Sequence, residues 1–233
     1  MVEPIFIGSD AKLVRAAKFI DELEVLFVEF NNDEPFSARF DLTVAHPSIV
    51  IDWKGIGYEA GAILGDGVHN LRAALDLMAS ELARINGKSD RNVYFPFAAS
   101  VAEFQEQVRK RNFDKAGADA VQLLHTFAPY RGGNELLRAI HDLDIEDKHT
   151  ALLETHKTID FEIEGIFDIG APQVSKLSLN ASLIQHHFGD QSPLEGKLVI
   201  ETLRDLAREV SRVVDAFREL VHRRTDISST GVD

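Results

Sequence analysis

The longest periodic feature of the chain lies between Tyr58 and Asn86, where Leu64, Val68, Leu71, Leu75, Met78, Leu82 and Ile85 recur at spacings of 4, 3, 4, 3, 4 and 3. This is the period of an α-helix, and the segment predicts one of about 40 Å at about 1.5 Å per residue. A helix of that length with an apolar stripe has to be packed against other elements. Gly87 comes directly after it and suits the left-handed residue that closes a helix. The same spacing recurs in Leu13, Ala16, Ile20, Leu23, Phe27 and Phe30, behind Ser9 or Asp10 as a cap, and in Leu203, Leu206, Val210, Val213, Phe217 and Leu220. Three such stripes predict a bundle. They find cover in one another or in a second copy of the chain, so a homodimer is among the expectations.

The period changes to two at Phe36, Ala38, Phe40, Leu42 and Val44, which alternate with Ser37, Arg39, Asp41 and Thr43. A turn at His46-Pro47 then leads to a second strand through Ile49, Val50, Ile51 and Trp53. Strand-like alternation returns at Leu152 to Glu154, Thr158 to Phe167 and Leu177 to Leu183. Shorter helices are predicted over 101–111, 116–126 and 134–148, the last capped by Asn134. The fold class read from this is α+β, a helical bundle of several long amphipathic helices with a small antiparallel sheet. One domain is expected over residues 1–224, with a small, polar tail over 225–233. On the last helix Glu201/Arg204, Asp205/Arg208, Glu209/Arg212 and Asp215/Arg218 place an acid three residues before a base, which describes a solvated face.

Composition narrows the chemistry. The 233 residues carry 38 acidic against 25 basic side chains, a formal charge of −13 that opposes binding to nucleic acid or to an anionic membrane surface. With no cysteine there are no disulfides, thiolate nucleophiles or sulfur-ligated metals, and a cytoplasmic location is expected. The opening segment lacks a basic region followed by a long apolar one, and no stretch is apolar enough to predict a membrane span. Local motifs fail as well. In Gly55-Ile56-Gly57-Tyr58-Glu59-Ala60-Gly61 the third glycine is one residue late for a dinucleotide loop, and Gly87-Lys88-Ser89 lacks the earlier glycine of a phosphate loop. Neither a Gly-x-Ser-x-Gly elbow nor a His-Glu-x-x-His pair occurs.

Two helices remain as carriers of chemistry. On the central one Asp66, His69, Asp76 and Ser80 fall opposite the stripe centred on Leu71. His69 with two carboxylates on one face fits a metal half-site or a general acid–base pair, while the plain alternative is the wet side of a helix. Arg72 stands four residues before Asp76, as an exposed ion pair would. On the helix over 134–148, Leu136, Ile140 and Leu143 lead to Asp147, a carboxylate where the stripe calls for an apolar side chain. An unpaired buried carboxylate costs several kcal/mol, so either that helix end is wet or Asp147 has a partner. His141, Asp144 and Lys148 lie along one flank of the stripe and can supply such a network, and His149 stands at the helix end.

The segments Gly65-Asp66-Gly67-Val68-His69-Asn70-Leu71-Arg72-Ala73-Ala74-Leu75-Asp76, Phe95-Pro96, Pro129-Tyr130 and Asp147-Lys148-His149 occur in this order. The series resembles a family of bacterial and phage proteins with a "GD-x-x-HNLR-x-ALDH" helix, an "FP" loop, a "PY" turn and a "DKH" helix end, a family whose activity is not established. The resemblance spans roughly residues 50 to 150, and it implies that His69, Asn70, Arg72 and Asp76 face Asp147, Lys148 and His149. An Arg-x4-His spacing on a bundle helix is also similar to HEPN-type ribonucleases, in which arginine stabilises phosphate charge and histidine moves protons. Here Leu77 takes the place of that histidine, so Arg72 lacks the partner.

These residues support two functional expectations, beside a third in which the cluster is a structural network that only fixes helix register. The first is a binding or regulatory module in which the polar cluster between the two helices holds a small anion, a metal ion or a segment of a protein partner. The second is a hydrolase, ribonuclease-like or metal-assisted, with His69 or His149 moving protons, Arg72 or Lys148 stabilising negative charge and Asp76 or Asp147 orienting the histidine. A divalent metal would then use Asp66, His69 and Asp147.

Overall fold

The computed structural model describes residues 5–33, 35–41, 48–149, 155–167, 174–190 and 192–230. Six helices are found among them: α1 (Ile7–Asn32), α2 (Tyr58–Ile85), α3 (Val101–Lys110), α4 (Ala118–Phe127), α5 (Glu135–His149) and α6 (Val199–Thr230), with a 3₁₀ turn at Phe113–Ala116. The strands are β1 (Phe36–Asp41), β2 (Ser48–Trp53), β3 (Thr155–Phe167) and β4 (Val174–Phe188). The α+β helical bundle expected from the periodicity is the observed architecture. The expected small sheet is two separate antiparallel pairs, β1 with β2 and β3 with β4.

The bundle is organised around α2. All of Leu64, Val68, Leu71, Leu75, Met78 and Leu82 are buried, and so are Ala60 in line with them and Ala74, Ala79 and Ala83 on the flanks. α1, α5, α6 and the 3₁₀ turn all pack on it. Its small residues let neighbours approach from several sides, which a single apolar stripe does not foretell. Its end is built as expected: Gly87 has φ +68°, its N–H donates to the Arg84 carbonyl, and the Lys88 N–H donates to the Ala83 carbonyl. Together these two bonds make a Schellman closure.

Other ends differ from expectation. α1 begins at Ile7 after a left-handed Phe6, so neither Ser9 nor Asp10 caps it. Ser9 is buried and its hydroxyl donates 2.9 Å to the Ala74 carbonyl, pinning α1 to α2. Asn134 does cap α5, accepting from the Leu137 N–H at 3.1 Å. α6 continues to Thr230, through the start of the tail expected from residue 225. Three of its four expected i, i+3 ion pairs form, whereas Arg204 reaches across to Glu24 of α1 at 2.6 Å.

Of the strands, β1 and β2 pair from Phe36 opposite Trp53 to Asp41 opposite Ser48, and β3 and β4 from Thr155 opposite Phe188 to Phe167 opposite Val174. Leu42, Val44, the His46-Pro47 turn and the strand expected at Leu152 to Glu154 lie outside the described residues. One apolar core runs from Phe6 through α2 to Val221.

Candidate functional site: the polar seam between α2 and α5

α5 runs against α2 so that later positions on one meet earlier positions on the other. Gly65 meets Asp147, His69 meets Asp144, and Arg72 meets His141 through the ring of Phe97. The result is a line of ionisable groups between two packed helices. It is open to water at one end and dry at the other.

At the open end, His69 Nδ1 and Asp144 Oδ1 are 2.9 Å apart. The Asp144 side chain is 8% exposed and the imidazole 44%, so the acid is the buried partner and the ring stands half in solvent. An ionised carboxylate only accepts, so this contact places the ring proton on Nδ1 and leaves the Nε2 lone pair for something outside the protein. Asp147 lies one turn along α5, its carboxylate against the backbone of α2 at Gly65. A methyl group at Gly65 would overlap both Asp147 oxygens. The seat therefore requires a residue without a side chain, and this accounts for a glycine in mid-helix, which costs about 1 kcal/mol relative to alanine.

The dry end is a clamp. Arg72 Nε donates 3.2 Å to Asp76 Oδ2, and its Nη2 lies 3.2 Å from Asp76 Oδ1. Both then grip one residue of the Phe95-Pro96-Phe97 loop: the Phe95 N–H donates 2.8 Å to Asp76 Oδ1, and Arg72 Nη2 donates 3.3 Å to the Phe95 carbonyl. The guanidinium also lies 4.3 Å from the centre of the Phe97 ring, whose other face stacks on His141 at 4.9 Å and 4°. Burial lowers the Arg72 pKa from its ordinary value despite Asp76 and Asp144, and it raises that of Asp76 despite Arg72 and the Phe95 N–H. His141 is pushed down to about 4, first by burial and then by the cations Arg72 and Arg138.

The loop is held from its far side too. The Ala98 N–H donates 3.2 Å to the Pro129 carbonyl, and Arg138 Nη1 donates 3.2 Å to the Ala98 carbonyl while its Nε holds Asp142 at 3.1 Å. The Phe95-Pro96 loop, the Pro129-Tyr130 turn and both helices thus meet in one place.

Placement of the expected residues is mixed. His69 faces α5 and Asp147 faces α2. Asn70 turns instead to α1, where its Oδ1 accepts from Lys12 Nζ at 3.1 Å. Arg72 and Asp76 turn to the Phe95 loop rather than to Asp147. Their ion pair is buried rather than on a wet face, with Arg72 8% exposed. Asp66 is exposed, and among the described residues no three His, Asp or Glu side chains gather as metal ligands, so Asp66, His69 and Asp147 do not form that centre. Lys148 and His149 belong to the last turn of α5, and their side chains lie outside what the structure describes. Asp144 and His141, expected only as network partners for Asp147, meet His69 and Phe97, and Phe97 itself is an addition. The first two are visible in the sequence as the flank of the α5 stripe, while nothing in the periodicity marks Phe97 beyond its place after Pro96.

Compared with known proteins, the chain matches no family model, no curated protein and no solved structure.

Proposed function

We propose that the chain is a binding or regulatory module whose recognition centre is the His69–Asp144 dyad at the open end of the α2–α5 seam. One observation carries this reading: in a seam whose other described contacts are internal, a half-exposed imidazole has one nitrogen fixed by a buried acid. Such a ring is oriented in advance, and it presents a lone pair to a ligand that donates a hydrogen bond, or a second N–H to a small anion once it takes up a proton. The Arg72–Asp76 clamp supports the role indirectly, because it fixes the Phe95 loop and with it the wall of the seam. A cytoplasmic setting belongs to the same proposal and is supported by the cysteine-free composition.

Ligand-observed NMR against a panel of inorganic anions, nucleotides and small carboxylic acids tests the reading. Saturable binding lost in His69→Ala, in a protein that still melts like the wild type, supports it. Absence of saturable binding, or binding indifferent to His69, overturns it.

The dyad geometry also favours a second reading, a hydrolase in which His69 Nε2 acts as general base with Asp144 holding the ring. Arg72 would contribute little to a phosphate in this scheme, since its Nε and Nη2 are engaged by Asp76 and Phe95 and its Nη1 is buried. RNA cleavage by purified protein, lost in His69→Ala, would favour this reading over the first.

A further inference from the structure

α1 has two apolar faces, and among the described residues only one of them is buried. The inner face, with Ala16, Ile20, Leu23 and Phe27, is buried. On the opposite side Ile7, Ala11, Val14, Lys18, Asp21, Val25 and Val28 recur at spacings of 4, 3, 4, 3, 4 and 3, and every one of them is exposed. Ile7, Val14, Val25 and Val28 are each more than half exposed, at 59%, 58%, 56% and 53%. A second stripe of coiled-coil period on the solvent side of a 26-residue helix is not needed by the fold that the helix already serves.

We propose that this face binds the same face of a second copy of the chain, antiparallel, about a two-fold axis passing between Phe19 and Ile20. The stripe is complementary to itself. In an antiparallel pair about that axis, Val14 meets the partner's Val25, Ala11 meets the partner's Val28, and Lys18 meets the partner's Asp21, each layer occurring twice. A two-fold interface has to match its own copy, and this stripe satisfies that requirement in shape and in charge. A parallel pair would set Lys18 against Lys18 and Asp21 against Asp21, so the central charges select the antiparallel arrangement.

The state of those charges in the single chain points the same way. Asp10 and Glu24, on the flanks of α1, are held by Arg218 and Arg204 of α6 at 2.6 Å each. Lys18 and Asp21 sit three residues apart on the same helix, yet they enter no ion pair or hydrogen bond among the described residues. They stand exposed in the middle of an apolar stripe. The chain's net charge of −13 works against association in general, so a contact that forms has to come from a specific match such as this one.

Sedimentation velocity over a range of concentrations, with full-length protein, tests the proposal. A reversible dimer is expected. K18E and D21K, each of which sets like charges against each other in both central layers, should weaken it about tenfold or more. Combining them as K18E/D21K reverses both charges together and should restore the affinity to within about threefold of wild type. These positions are exposed, and unchanged circular dichroism will show that each variant folds. The cysteine-free background allows a second readout. V14C protein mixed with V25C protein should cross-link through a short bismaleimide, while V14C alone should not, because two copies of residue 14 would lie about 16 Å apart along the helices. A chain that stays monomeric, a dimer indifferent to K18E, or a double variant no better than the singles overturns the proposal.

Discussion

Replacing Asp76 with alanine is the sharpest test of the clamp. The substitution removes the acceptor of the Phe95 N–H at 2.8 Å and the carboxylate that Arg72 contacts twice at 3.2 Å. A buried N–H left without a partner costs about 1–3 kcal/mol, and a buried charge stripped of its partner about 3–5 kcal/mol. The two costs overlap. Asp144 still attracts Arg72 through space, and the desolvation of Asp76 itself is no longer incurred, which brings the expected net loss to about 3–4 kcal/mol. For a chain of this length that lowers Tm by roughly 6–16 °C. Asp76→Asn keeps an acceptor oxygen for Phe95 and should lose about half as much. R72L/D76L, which replaces both charges with apolar groups, should be markedly more stable than the alanine single variant, because no ion is left stranded. Urea unfolding followed by circular dichroism gives the free energies, and hydrogen exchange at the Phe95 amide reports the local event. A loss under about 1 kcal/mol with Phe95 exchange unchanged would refute the clamp as the element that fixes this loop.

Three further outcomes are expected. His141 and His186 are both held near pKa 4, by burial first, then by Arg72 and Arg138 for His141 and by Lys157 and His187 for His186. The unfolded chain therefore takes up more protons than the folded one between about pH 6.5 and 4. Stability is complete above that window and falls on acidification by up to about 1.4 kcal/mol per pH unit for each ring; urea melts from pH 7.5 to 4.5 should show the slope, and His141→Gln should reduce it. At the Gly65 seat, Gly65→Ala should add up to about 1 kcal/mol when Asp147 is already alanine, but not in the wild type, where the new methyl displaces the carboxylate; equal effects in both backgrounds would contradict the contact. On α6, Arg208→Ala should change stability by no more than about 0.5 kcal/mol, since its partner Asp205 is a solvent-exposed neighbour, and a larger loss in the melt would count against that picture.

Much of the fold is legible in the sequence because its periods are long. The stripe on α2, the closure at Gly87, the cap at Asn134 and the β1–β2 hairpin all derive from local rules. The clamp does not. A helical wheel assigns a polar face to water when one partner surface is assumed, but α2 is packed from several sides, and its polar face at Arg72 and Asp76 meets the Phe95 loop rather than solvent. Asp147 is legible as a broken apolar stripe. The glycine that makes room for it lies 82 residues earlier, at Gly65, and only the packing of the two helices brings them together. His186, buried against Phe27 at 3.8 Å with Nε2 at 3.0 Å from Asn31 Oδ1, sits next to His187 in an alternating strand, and nothing local tells which of the two turns inward.

The functional reading depends above all on α5 holding the His69 ring in one orientation from the far side of the seam. Nitrogen-15 NMR of the histidine ring measures this directly, because the two nitrogens differ in shift with the position of the proton. His69 is expected to carry its proton on Nδ1 in the wild type and to exchange between tautomers in Asp144→Ala. A ring that is already averaged in the wild type, or that ignores the loss of Asp144, would contradict that dependence.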